Sequence, residues 1–266
     1  MRAGRTGTVA VLAGALALAA FTAPAAEAAD TGITVSEVVV NNGKPIVVGT
    51  SETKNPSVSF HMTWTSKHSM PDVEVSPFLY RGTSAAKAAD SGGIYLGGLT
   101  CYDAGTHAAD CDGELYLRPR NDLDSTADAT TWKLGAAARL WGSDGQPKTE
   151  YLNALSTARI QRAARATVNA APEPVAKGKT LTVTGKLTRA NWATHTYTGY
   201  GSKLAKLQFR KAGTSTYSTV KTVRANSAGA LKTTVKASAD GYWRYTFGET
   251  STTGGATAAG DYVDVK

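Results

Sequence analysis

The chain has 266 residues, 42% apolar, 19% charged and 8% aromatic, with a formal net charge of +8 and only 2 Cys against 27 Gly. This composition excludes a disordered tail, a collagen-like repeat and a cysteine-stapled miniprotein. The length supplies one or two domains large enough to bury a core without metals or dense disulfides.

Residues 1–28 read as a secretory signal peptide. Arg2 and Arg5 give a positive start, and Val9 to Phe21 form an apolar run too short to span a bilayer. Ala26, Glu27 and Ala28 place small residues where a signal peptidase inspects the chain, so the mature protein is expected to begin at Ala29. No second apolar stretch of spanning length follows, so the expected product is extracellular and secreted, with no membrane span. Export also interprets the cysteines, because outside the cytosol two thiols in one chain usually end as a disulfide. Cys101 and Cys111 enclose nine residues, a loop whose closure stabilises by roughly 2 to 3 kcal/mol in the chain-entropy account. Zinc is the poorer reading, since His107 is the one further ligand nearby and zinc wants four.

Along the mature chain the dominant period is two. Ile33 to Val40 and Pro45 to Gly49 open the series. Val58, Phe60, Met62 and Trp64 then share one face while Ser59, His61, Thr63 and Thr65 share the other. Val73 to Tyr80, Glu114 to Leu117 and Thr131 to Leu140 follow. Residues 150–165 suit a terminal strand feeding the next domain, with a short helix as the alternative. Beyond Pro172 and Pro174, Leu181, Val183 and Leu187 oppose Thr180, Thr182, Thr184 and Lys186. Leu204 to Arg210, Tyr217 to Arg224, Leu231 to Ala237 and Tyr242 to Phe247 complete the run. Short alternating runs with Gly, Asn, Asp and Ser between them predict an all-β chain of two tandem antiparallel β-sandwiches. The expected domains are 29–165, carrying the disulfide loop, and 166–266. Asn226, Ser227, Ala228 and Gly229 predict a turn that makes Tyr217 to Lys236 a β-hairpin. Trp243, Tyr245 and Phe247 should point into the second core, with Tyr242 and Arg244 pointing out.

Charge divides unevenly between the halves. Residues 29–165 hold 13 Lys and Arg against 15 Asp and Glu, whereas residues 166–266 hold 14 against 5. One half is mildly acidic and the other strongly basic.

Several segments are similar to secreted streptomycete proteins made of two immunoglobulin-like modules. They are Ile33 to Gly49, Phe78 to Gly82, Pro172 to Val175, Gly178 to Trp192, Lys206 to Lys211 and Gly241 to Tyr245. Some of those proteins are catalogued as calcium-binding proteins. The resemblance covers nearly the whole mature chain and implies the fold; its calcium label implies a site that must be judged on this chain's own oxygens.

Calcium takes six to eight oxygens from carboxylates, carbonyls and water. Asp103 to Asp128 is the acid-rich stretch, and Asp110, Asp112 and Glu114 sit at i, i+2 and i+4 around Cys111. In an extended loop these three carboxylates share one side, and with Asp122 and Asp124 they make the candidate metal ligands. Asp122 to Lys133 is not an EF-hand loop, because Ala127 stands where Gly is needed and Lys133 where Glu is needed. The alternative is that these acids form turns and keep the loop soluble.

The basic half offers a candidate anion-binding comb. Lys206 and Arg210 alternate with Leu207 and Phe209, and Lys232 and Lys236 alternate with Leu231 and Val235. If these strands share a sheet, the cations line its solvent face and suit an anionic cell-wall or extracellular polymer. The alternative is that they only solubilise the sheet and guard its edges. Trp192, His195, Tyr197 and Tyr200 form either a sugar-stacking surface or the cap of a core. Catalysis has little support: His61, His68, His107 and His195 show no metal-ligating spacing, and no nucleophile elbow or phosphate loop is present. The expectation is a secreted non-catalytic binding protein. A hydrolase with an unrecognised site and a carbohydrate-binding module are the alternatives.

Overall fold

A computed structural model describes residues 30–65 and 67–266. The expected signal peptide lies outside the described residues. Eight strands make the first unit: β1 (Ile33–Val40), β2 (Ile46–Val48), β3 (Ser57–Trp64), β4 (Val73–Tyr80), β5 (Ile94–Gly105), β6 (Ala108–Leu115), β7 (Thr131–Trp141) and β8 (Pro147–Arg162). They follow the order β1-β3-β6-β5-β4-β7-β8-β2. The path folds over at β5, whose first residues pair with β4 through Phe78 and Leu79 while the rest pair with β6. One layer is therefore β1-β3-β6-β5 and the other β4-β7-β8-β2. This is the strand arrangement of an immunoglobulin-like sandwich. All pairings are antiparallel except β2 with β8, where Ile46 lies beside Ile160 in parallel.

Alternation fills the space between the layers. Val58, Phe60, Met62 and Trp64 on β3 are buried, facing Leu134, Ala136 and Ala138 from β7 and Ile160 from β8 in one core. A short helix, α1 (Ala85–Ser91), is capped by Ser84 and covers Phe78 and Tyr80 on the outer face of β4 with Ala85 and Ala88. Another, α2 (Pro119–Asp122), lies between β6 and β7. Cys101 and Cys111 are opposed residues on β5 and β6 and form a disulfide. The bond links neighbouring strands of one layer, not the two layers.

The second unit contains β9 (Ala164–Ala166), β10 (Asn169–Ala171), β11 (Thr180–Asn191), β12 (Thr196–Gly199), β13 (Leu204–Lys211), β14 (Ser218–Arg224), β15 (Ala230–Lys236), β16 (Gly241–Phe247), β17 (Ala256–Thr257) and β18 (Asp261–Val263). In one layer β11 pairs with β9, β10, β12 and β15; in the other β14-β13-β16 continues into β17 and β18. Trp243, Tyr245 and Phe247 point into the core with Leu181, Val183, Leu207 and Leu231, and the Tyr245 hydroxyl crosses it to donate to the Val183 carbonyl at 3.1 Å.

The turn at Asn226 to Gly229 forms, but the expected hairpin does not. The Asn226 side chain accepts from Ala228 N at 3.0 Å and Ala230 N at 2.9 Å. Gly229 has φ +82, and a Cβ there would stand 2.2 Å from the Leu187 carbonyl. The flanking strands then part, β14 pairing with β13 and β15 with β11. Val223 and Leu231 bury into the same core from opposite layers, so local turn chemistry sets the reversal while burial chooses the partners.

No loop intervenes between the units. β8 ends at Arg162 and β9 begins at Ala164, with Ala163 donating to the Val48 carbonyl at 2.8 Å and accepting from Ala190 N at 2.8 Å. Residues 150–162 are strand, not helix. Among the described residues no helix is long and apolar enough to cross a membrane.

Candidate functional site

The acidic candidates separate into two places. Asp110, Asp112 and Glu114 do not lie in a loop; they lie on β6, exposed, with Ala109, Cys111 and Leu115 facing the core. Alternate residues on a strand stand about 7 Å apart along its axis, so these carboxylates project side by side and do not converge. Asp110 is engaged by the neighbouring strand, its Oδ1 lying 2.7 Å from Nδ1 of His61. Asp112 and Glu114 border a shallow cleft of about 550 Å³ with Asn55 and Tyr116. Asp122 belongs to α2, where it accepts from Arg118 N at 2.6 Å and Arg118 Nη2 at 3.2 Å. Asp124 is exposed beside a polar cleft of about 560 Å³ lined by Arg81, Lys87, Asp128 and Trp132. Asp128 is buried and fully committed: it accepts from Asp124 N and Ser125 N and pairs with Arg81 Nη2 at 2.9 Å. Among the described residues no three His, Cys, Asp or Glu side chains gather as a metal would require.

The basic comb is also divided. Lys206 and Arg210 stand on β13 and Lys232 and Lys236 on β15, in opposite layers. They do not share a sheet, so the premise of one continuous comb is corrected. On the β15 face, Lys236 lies opposite Thr180 and donates to its hydroxyl at 3.3 Å, and Lys232 lies opposite Thr184. This face is lysine and threonine.

The β13 face differs. Lys206, Gln208 and Arg210 project outward opposite Thr246, Arg244 and Tyr242 of β16. Tyr217, just before β14, lies under two guanidiniums, with Arg244 at 3.6 Å and Arg210 at 5.3 Å from its ring centre. Arg210 also lies 4.1 Å from the Tyr242 ring centre, and Tyr242 meets Tyr262 of β18 at 5.1 Å. Arg244 Nε donates to Gln208 Oε1 at 2.8 Å, and Gln208 Nε2 donates to the Thr219 hydroxyl at 3.4 Å. Arg244, Tyr217 and Tyr262 thus join a surface that Lys206 and Arg210 only began. The outward alternation of Tyr242 and Arg244 was the sequence signal for it. Across 166–266 the single ion pair among the described residues is Lys266 with Asp264, at 3.9 Å.

A third group of residues is buried where the units meet. Trp192 is fully enclosed within the first core and donates Nε1 to the Gly49 carbonyl at 2.9 Å. Tyr200 is buried and carries Arg189 at 4.1 Å and Lys203 at 5.2 Å from its ring centre; Arg165 lies 3.6 Å from that of Tyr197. Of the aromatic cluster after Arg189, Trp192 and Tyr200 are therefore core residues of the two units, while His195 and Tyr197 are half-buried beside them. Arg162 is buried in the same joint, and its Nε donates to the Ala190 carbonyl. Burial, then repulsion from Arg189, pulls its pKa down to about 10, with Tyr200 acting in the opposite sense.

The fold and its surfaces define an all-β, immunoglobulin-like two-sandwich chain with one strongly basic unit. No known family matches the sequence, and no curated protein matches it. Among solved structures, the chain is similar to the full Ig1–Ig3 ectodomain of mouse nectin-like molecule 4, at 15% identity and a TM-score of 0.26, covering 88% of this chain and 64% of that one. The D00-D0 domain of intimin matches at 13% identity and a TM-score of 0.28, covering 86% and 99%. The Escherichia coli adhesin FdeC matches at 19% identity and a TM-score of 0.26, covering 89% and 64%. The chain thus spans under two thirds of the nectin-like ectodomain and of FdeC.

Proposed function

We propose that this is a secreted, non-catalytic binding protein whose second unit adheres to an anionic polymer at or near the cell wall. The observation that carries the reading is unneutralised charge: 14 Lys and Arg stand against 5 acids in residues 166–266, with one ion pair between them. Charges spaced within a Debye length, about 8 Å at physiological salt, act on a polymer together. Their excess exceeds what solubility of a small domain requires. The disulfide supports an oxidising, extracellular setting.

The test uses the whole protein on purified cell wall over a salt gradient. Retention should fall with salt, and a variant carrying Gln at Lys206, Arg210, Lys232 and Lys236 should elute much earlier. Equal retention of variant and wild type, or salt-independent retention, would refute adhesion by charge.

A further inference from the structure

We infer that the β13-β14-β16-β18 face is the contact surface, and that its ligand is a carboxylate-bearing polysaccharide, a polyuronate, gripped by Arg210 and Arg244. The inference rests on the anionic-polymer reading and specifies the face and the chemistry within it.

The two faces of the second unit both carry cations but differ in chemistry. Lysines on the β15 face are point charges on flexible stems, able to attract any anion without selecting its shape. The β13 face presents guanidiniums, and these are already ordered. Each lies over a tyrosine ring, Arg244 over Tyr217 and Arg210 over Tyr242, and each gives one donor to the protein: Arg244 Nε to Gln208, Arg210 Nη1 to the Thr214 carbonyl. The remaining N–H groups have no carboxylate partner among the described residues. A guanidinium held by a ring contact and one hydrogen bond, with further N–H groups free of any carboxylate, suits bidentate capture of a planar oxyanion at less entropic cost than an untethered arginine.

Positive charge extends over the β13-β14 part of the face. Arg224 lies opposite Leu204, and Lys206 opposite Thr222, on the same side. Three acids lie at or near the β18 edge; each has a partner, but a backbone N–H leaves the carboxylate charge in place. Asp261 accepts from Ala170 N, Asp240 accepts from Val265 N, and Asp264 pairs with Lys266. Tyr262 supplies what a point-charge surface lacks, an aromatic ring 41% exposed at the rim of the arginine pair. A pyranose ring stacks on such a surface, whereas a ringless phosphodiester chain gains nothing from it. Ring and carboxylate together single out an acidic sugar polymer.

The experiment measures affinity of the whole protein for polygalacturonate, for linear polyphosphate and for neutral dextran at fixed ionic strength. Wild type should bind polygalacturonate more tightly than polyphosphate, and dextran not at all. The R210K/R244K variant keeps the net charge but loses both forks, and should bind polygalacturonate about tenfold or more weakly. K232Q/K236Q removes two charges from the other face and should cost under about threefold. Should the arginine variant fold poorly, Tyr262→Ser at an exposed edge should weaken polygalacturonate binding while leaving polyphosphate binding unchanged. If wall and polygalacturonate are bound but neither R210K/R244K nor Y262S weakens the latter, the face assignment is wrong and charge-driven adhesion stands. Polyphosphate binding as tight as polygalacturonate overturns the polyuronate. Failure to bind wall and both polyanions at low salt overturns the adhesion reading itself.

Discussion

Trp192 directly follows β11 of the second unit, yet it is fully buried in the core of the first unit. Its removal therefore tests whether the joint is a packed continuation of that core. Trp192→Ala deletes a large enclosed ring, and truncations of this kind cost about 3 to 5 kcal/mol. Trp192→Phe keeps most of the apolar area but strips the Gly49 carbonyl of its 2.9 Å donor, a loss of about 1 to 2 kcal/mol. For a chain of this size 1 kcal/mol moves the melting temperature by about 2 to 4 °C, so the alanine variant should melt on the order of 10 °C lower and the phenylalanine variant a few degrees lower. Scanning calorimetry of the whole protein reads both. The alanine variant should also split the endotherm, as the first unit loses part of its core and uncouples from the second. A single transition within about 2 °C of wild type would show that Trp192 does not couple the units.

Burial pushes the Tyr245 phenol from 10.0 up to about 12, so the neutral form is favoured in the folded state; the stability it confers is complete below pH 10 and lost as pH rises towards 12. The full loss, complete only above pH 12, is on the order of 3 kcal/mol, of which about half, ~1.4 kcal/mol, is reached at pH 11; denaturant midpoints at pH 8 and pH 11 should show that half in wild type but not in Tyr245→Phe, and an identical alkaline loss in both would refute it. Reducing the Cys101 to Cys111 bond opens a loop with a sequence separation of 10 and should cost about 2 to 3 kcal/mol, read as a lower melting temperature with reductant; an unchanged melt would show that the β5-β6 pairing needs no staple. Because Asp110, Asp112 and Glu114 project in parallel from β6, an Asp112→Asn, Glu114→Gln variant should respond to millimolar calcium as wild type does. A calcium-dependent melting shift that disappears in the variant would mean that these carboxylates do converge on an ion.

Legibility in the sequence followed burial. Where one face of a strand is enclosed, as at Val58 to Trp64 and Trp243 to Phe247, period two identified both the strand and its inward residues. It faltered at β5 and β6, where Gly97, Gly98, Asp110 and Asp112 dilute the apolar signal and read as loop. Their pairing shows in space, through the register that sets Cys101 against Cys111. Partnership was the other blind spot. Alternation stated correctly that Lys206, Arg210, Lys232 and Lys236 point outward, but nothing local distinguishes a strand that returns to its neighbour from one that crosses to the opposite layer. That decision rests on Val223 and Leu231 meeting in one core. The arginine and tyrosine surface was legible only in part: alternation turns Tyr242 and Arg244 outward, but only the fold brings Arg210 of β13, Tyr262 of β18 and Tyr217, just before β14, beside them.

The most direct test of the account is retention of the intact protein on purified cell wall across increasing salt, beside the variant with Gln at Lys206, Arg210, Lys232 and Lys236. Retention should weaken steadily with ionic strength, and the variant should elute at distinctly lower salt. Wild type and variant eluting together would contradict it.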